Sequence, residues 1–142
     1  MREQTTFERF LSRYESGELP WDDVLPPPEV LALAETLPAG RALDLGCGHG
    51  RTAIYLAQQG WQEDGVDYVK HDIEGDKQRA AAAQVAAQTR FFVGSVANLD
   101  FLQPPYDLAV DVGCFHALTA VQRQAYAAEL ARLLQKGGQF LL

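Results

Sequence analysis

The chain has 142 residues, of which 47% are apolar and 22% charged, and its formal net charge is −7. That length and balance suit one folded domain, and no apolar run approaches the roughly 18 residues that span a membrane. Its acidity opposes a phosphate backbone, which excludes nucleic acid as a first partner but leaves small cations open.

The opening "MREQTTFERF" lacks the apolar stretch of a signal peptide, and the two cysteines, Cys47 and Cys114, do not make a disulfide framework. A cytoplasmic location is therefore expected. "TTFERFLSRYESG" reads as a helix: Thr5 and Glu8 have capping-box spacing, and Phe7, Phe10, Leu11 and Tyr14 share one face. Four prolines in "ELPWDDVLPPPEV" oppose regular structure. Pro28 then suits the first position of a helix through "EVLALAETLP". Residues 1–40 form an N-terminal helical and proline-rich segment, and residues 41–142 form the core of a single domain.

From Arg41 strands and helices alternate. "RALDL" is a strand, "RTAIYLAQQ" a helix closed by Gly60, and "WQEDGVD" a second strand. A helical stretch from about His71 to Gln88 follows, then strand "RFFVGS", a loop and strand "YDLAVDV". The helix "AVQRQAYAAELARLLQK" is expected to stop at Gly137-Gly138, with "QFLL" opening a last strand. The alternation predicts a doubly wound, Rossmann-like parallel sheet of about five strands, order 3-2-1-4-5, with helices on both faces.

Such sheets bind ligands beyond the carboxyl ends of their strands. "GCGHG" follows the first strand, so backbone N–H groups are expected to approach a ligand there with no Cβ in the way. Asp67 ends the second strand about twenty residues later, where a carboxylate accepts ribose hydroxyls. Asp44 lies within an apolar strand, and a buried carboxylate calls for hydrogen bonds or a cationic ligand. The third glycine comes one residue too early for the dinucleotide pattern, which argues against a nicotinamide-dependent oxidoreductase.

"ALDLGCGHG" resembles motif I of the class I S-adenosylmethionine-dependent methyltransferases, in which an acidic residue precedes alternating glycines. "GVDYV" resembles motif II, "YDLAVDVGCFHAL" motif IV, and "LARLLQKGGQFLL" the helix, glycine pair and strand of the next motif. "GELPWDD" is similar to the approach segment of small-molecule enzymes related to the thiopurine, thiol and tellurite-resistance methyltransferases. The resemblance implies an S-adenosylmethionine cofactor and a small-molecule methyl acceptor. It also implies cofactor contacts from Asp44, Gly46, Cys47, Gly48 and Gly50, from Asp67 and Tyr68, and from Ser95 and Val96 at the adenine; Trp21, set among prolines and acids, is a candidate lid and cofactor contact or a packing residue.

Other residues carry two readings each. His116 is a candidate general base or a helix-capping side chain, and Phe115 a shield for the sulfonium or a core residue. Arg51 meets the cofactor carboxylate or stays solvated. Cys47, His49, Cys114 and His116 form a Cys2His2 set, but with spacing unusual for zinc, so no metal is expected. Departures from the family pattern are Ser95 where Asp is frequent, Glu63-Asp64 inside a central strand, and Gly75 within a helix. The sequence given stops at Leu142 in the fifth strand, where the family core continues; an open edge predicts pairing, including homo-oligomers. A cofactor-binding module without turnover is the alternative reading.

Overall fold

A computed structural model describes residues 25–142 of the chain. The N-terminal helix expected over Thr5–Gly17, with Tyr14 and Trp21, lies outside the described residues. Pro28 opens helix α1 (Pro28–Thr36), where its missing N–H would have had no helical partner. There follow β1 (Arg41–Leu45), α2 (Arg51–Gln58), β2 (Gln62–Asp67), α3 (Lys70–Ala82), β3 (Thr89–Val93), β4 (Tyr106–Asp111), α4 (Ala120–Leu133) and β5 (Leu134–Leu141). Single 3-10 turns occupy Ala86–Gln88 and Phe115–Ala117.

The strands form one parallel sheet in the order β3-β2-β1-β4-β5, as the sequence predicts. Leu45 of β1 is level with Val66 of β2 and Asp111 of β4, so these three strands end together. The strand order reverses between β1 and β4, which opens a crevice at their carboxyl ends.

Alternation along β1 divides the core. Ala42 packs with Val30 of α1, Leu56 of α2, Trp61, Leu108 and Val110. Leu43 and Leu45 point the other way, to Tyr126, Leu130 and Leu133 of α4 and to Val96, Leu99 and Leu102 between β3 and β4. Helices thus cover both faces. The β3–β4 connection is tied to α4: Leu99 N–H donates to Glu129 Oε2 at 2.5 Å, and Arg132 donates to the carbonyls of Leu99 (2.7 Å) and Leu102 (3.1 Å).

Two helix ends differ from the sequence expectation. The alanine-rich stretch does not continue to Gln88, because α3 stops at Ala82 and Gln84 turns left-handed at φ 62°. That turn returns Val85 to a cluster with Ala80 and Phe91, and the burial outweighs the helix propensity of the alanines. Likewise α4 ends at Leu133, and Gly137-Gly138 lie inside β5. Between the pairs Tyr106↔Leu134 and Leu108↔Gln139, β5 carries extra residues as a bulge. A Cβ on Gly138 would stand 2.9 Å from the Gln135 carbonyl oxygen, so the bulge needs glycine there.

The acidic pair in β2 splits by face. Asp64 accepts both arms of Arg90 (2.7 and 2.8 Å), Arg41 (3.3 Å) and the Tyr106 hydroxyl (2.5 Å), so its charge is compensated. Glu63 is buried, and neither carboxyl oxygen has a hydrogen-bond partner among the described residues. Burial first, then Asp44 and Asp64, raise its carboxyl well above the ordinary range. The unfolded chain releases this proton near pH ~4.3, whereas the folded chain retains it to higher pH. Stability therefore falls as pH rises through that window. Glu63→Met, of similar volume, is expected to stabilise the fold at pH 8 by about 1–3 kcal/mol, the cost of an unsatisfied buried group. Denaturant titrations at pH 8 and pH 4.5 check this: the gain should shrink at the lower pH, and a pH-independent difference would refute it.

Candidate cofactor site

The chain leaving β1 turns at once. Gly46 (φ 71°), Gly48 (φ 53°) and Gly50 (φ 73°) are all left-handed, a region costly for residues with a Cβ. Gly46 and Cys47 both donate to the Val66 carbonyl at 2.8 and 2.9 Å, which hooks the loop onto β2. Gly48 N–H donates to Asp67 Oδ2 at 2.9 Å, while Asp67 Oδ1 accepts from Val69 N–H at 2.9 Å. Gly50 N–H closes on the Cys47 carbonyl at 2.9 Å. The expectation that loop amides face a ligand is therefore corrected for residues 46, 47, 48 and 50, whose N–H groups are committed within the protein. What the loop offers is close approach without side chains.

Two cavities meet at this turn. One, of about 490 Å³, is lined by Asp44, Gly46, Gly48, Arg51 and Thr52 together with Leu25–Pro28. The other, of about 510 Å³, is lined by Asp67, Tyr68, Ser95, Val96, Cys114 and Leu118. Gly46 and Val112 line both, which sets the two side by side as a two-part cleft at the end of β1. Asp44 is buried at 3% exposure and has no side-chain hydrogen bond among the described residues. Its carboxyl is pushed up to about 7, by burial and then by the charges of Asp76, Asp111 and Asp67. A cation beside Asp44 would offset that cost.

The sequence-derived residues separate into two sets. Asp44, Gly46, Cys47, Gly48, Asp67, Tyr68, Ser95 and Val96 line the cleft, as does Arg51. Tyr68 is 82% exposed, and Ser95 Oγ accepts the Ala97 N–H at 3.1 Å. Gly50 lies behind the loop, where a Cβ would come 3.1 Å from Asp76 Cγ. Phe115 and His116 are absent from the lining. The Phe115 ring packs on the core, 5.4 Å from Tyr126 and beneath the Arg123 guanidinium at 4.6 Å, which favours its core reading. The His116 side chain is exposed, and its carbonyl accepts from Arg123 at 3.3 Å. Cys47 points to Asp76 and Cys114 lies against Gly46. Among the described residues no group of three or more His, Cys, Asp or Glu is arranged to hold a metal ion.

Two structural acids were missed. Asp111, at the end of β4, accepts the N–H groups of Cys114 (2.7 Å) and Phe115 (3.0 Å) and the Tyr126 hydroxyl (2.6 Å). It thereby shapes the loop that walls the second cavity. Asp76 of α3 is fully buried and pairs with Arg79 at 2.6 Å. An acid ending a buried strand was the available signal for Asp111; nothing in the local pattern marked Asp76.

Gly46 and Gly48 provide a contrast. A Cβ on Gly46 would lie 2.7 Å from Cys114 Cβ, whereas one on Gly48 meets nothing within 4 Å. Gly48→Ala is expected to cost about 1–2 kcal/mol of backbone strain. Gly46→Ala should cost a further ~1–3 kcal/mol of overpacking. Equal losses in denaturant titrations would contradict the packing role of Gly46.

Comparison with known proteins agrees with this geometry. A family profile described as "Methyltransferase domain" matches residues 42–138. The 2-heptyl-1-hydroxyquinolin-4(1H)-one methyltransferase of Mycobacteroides abscessus is 30% identical over 87% of this chain and 54% of its own length. The "Probable thiol methyltransferase 2" of Arabidopsis thaliana is 29% identical over 90% of this chain and 57% of its own. The chain thus spans about half the length of these curated relatives. A crystal structure of a TehB-like SAM-dependent methyltransferase from Corynebacterium glutamicum superposes with a TM-score of 0.70 at 25% identity, covering 95% of this chain and 68% of that one. With its glycine turn, two acid-bearing strand ends and 3-2-1-4-5 sheet, the chain belongs to the S-adenosylmethionine-dependent methyltransferase family.

Proposed function

We propose that this chain binds S-adenosylmethionine across the two-part cleft and directs its methyl group to a small-molecule acceptor, a thiol or another soft nucleophile. One observation carries the reading: two adjacent cavities that share Gly46 and Val112, with Asp44 lining one and Asp67 the other. When bound, S-adenosylmethionine supplies a methyl group already activated by its sulfonium. Asp44 and Arg51 face the aminocarboxypropyl end. Asp67, though it holds Gly48 and Val69, has carboxylate lone pairs left for ribose hydroxyls. Tyr68, Ser95 and Val96 flank the adenine. The Asp111-shaped loop closes the wall, and alignment of acceptor and methyl supplies most of the acceleration. His116, just beyond that wall, is the candidate to take a proton where the acceptor arrives protonated.

The names of the relatives support a small acceptor, and a cytoplasmic setting belongs to the same proposal. No described helix is long and apolar enough to cross a membrane. Among the described residues β5 is the edge strand beyond β4. A second copy pairing along it belongs to the same proposal, and sedimentation analysis checks it.

The reading is tested by calorimetric titration with S-adenosylhomocysteine beside NAD. Micromolar binding of the first alone is expected, and Asp67→Ala should weaken it more than tenfold. Binding of NAD alone, or an unaltered Asp67→Ala, would overturn it. A second prediction concerns pH. With Asp44 ionising at about 7, affinity for the cationic S-adenosylmethionine should rise as pH increases through that value and then level off. Asp44→Asn should flatten the profile; a profile of the same shape would exclude Asp44 from the cation's surroundings.

A further inference from the structure

Helix α3 carries an arrangement with no role in the chemistry above. Ile73, Asp76 and Ala80 form its buried stripe, and an apolar side chain at position 76 would meet the packing requirement at lower cost. The structure instead buries a carboxyl completely and turns it toward the glycine turn. Asp76 Oδ1 takes Arg79 Nη2 at 2.6 Å, and Asp76 Oδ2 accepts the Cys47 thiol at 3.4 Å. Arg79 then reaches onward: its Nε donates to the His49 carbonyl at 2.9 Å. Asp76 also fills the space beside Gly50. Cys47, His49 and Gly50 are thus all engaged from α3, while Asp67 engages Gly48 from β2. Gly75 gives Arg79 room. A Cβ there would stand 3.0 Å from Arg79 Nη2, so the guanidinium lies in room that a side chain would occupy.

We propose that Asp76 and Arg79 are a positioning pair that clamps the outer side of the glycine turn in its cofactor-accepting shape. This rests on the cofactor reading above but is separable from it. Neither residue lines the cleft, so both act through Cys47, His49 and Gly50. Arg79 depends on Asp76 for its direction, and Asp76 depends on Arg79 for its charge compensation, so their effects should not add.

The test uses the 142-residue chain as wild type, Asp76→Ala, Arg79→Met and the double variant. Three readouts are taken: amide hydrogen exchange over residues 46–51, S-adenosylhomocysteine affinity and the thermal midpoint. Exchange at Gly48 and Gly50 should accelerate at least tenfold in each variant, with β1 and β4 amides unchanged. Affinity should fall about fivefold in Asp76→Ala and about tenfold in Arg79→Met, and the double variant should match Arg79→Met. Asp76→Ala breaks the pair with Arg79 and empties a fully buried position, so its thermal midpoint should fall by a few degrees. A purely structural role would spread the exchange gain to the β1 and β4 amides and leave the affinity of the folded chain unchanged. Exchange and affinity within twofold of wild type would overturn the clamp. Accelerated loop exchange in a chain that binds no S-adenosylhomocysteine would uphold the clamp on the turn and refute the cofactor reading.

Discussion

The carbonyl of Val66 receives two amides, those of Gly46 and Cys47, at the point where β1 gives way to the glycine turn. Everything at the carboxyl end of the sheet depends on this double acceptance. It holds the turn against β2, sets Gly46 beside Cys114 and brings Gly48 within reach of Asp67. A longer side chain at Gly46 is incompatible with that closeness. The turn is therefore shaped from within, by its own amides, and its availability to a ligand comes from the surface left bare.

Around it the molecule gathers more buried acid than it neutralises. Asp64 is compensated by Arg41 and Arg90, and Asp76 by Arg79. Asp111 and Asp67 are held by amides and, for Asp111, by a tyrosine hydroxyl. Asp44 and Glu63 have neither among the described residues. The same surplus pushes the Cys114 thiol up to about 11, through burial and then Asp111, Asp67 and Asp44, so the sulfur lining the cavity stays protonated at neutral pH. Such surroundings favour a cation and disfavour a phosphate. A pyrophosphate-bearing dinucleotide would meet this field as well as the wrong glycine spacing.

Much of this was legible in the residues. Strict alternation of apolar strands and helices gives the parallel sheet, and glycines at alternate positions after β1 mark the close approach. Asp44 and Asp67 were readable because an acid inside or ending an apolar strand demands an explanation. What was not legible depended on contacts outside the local pattern. The early end of α3 follows from Val85 finding Phe91, and the run of alanines that precedes it argues locally for more helix. The placement of Gly137-Gly138 inside β5 follows from a bulge against β4, although a glycine pair ordinarily reads as a helix stop. Asp76 carried no local signal because its thiol partner, Cys47, lies 29 positions earlier, and Arg79, its near neighbour on α3, reaches on to the His49 carbonyl.

Helix α4 touches two separate stretches of chain. Glu129 and Arg132 grip the β3–β4 connection at Leu99 and Leu102, and Tyr126 grips the post-β4 loop through Asp111. Both stretches contribute to the lining of the cavity that holds Ser95, Val96, Cys114 and Leu118. One helix therefore acts as a common frame for both. The two linings are thus tied to one element, so a small rotation of α4 would carry both with it. A substitution on the far face of α4, remote from any ligand, would then be felt inside the cavity as a change of fit.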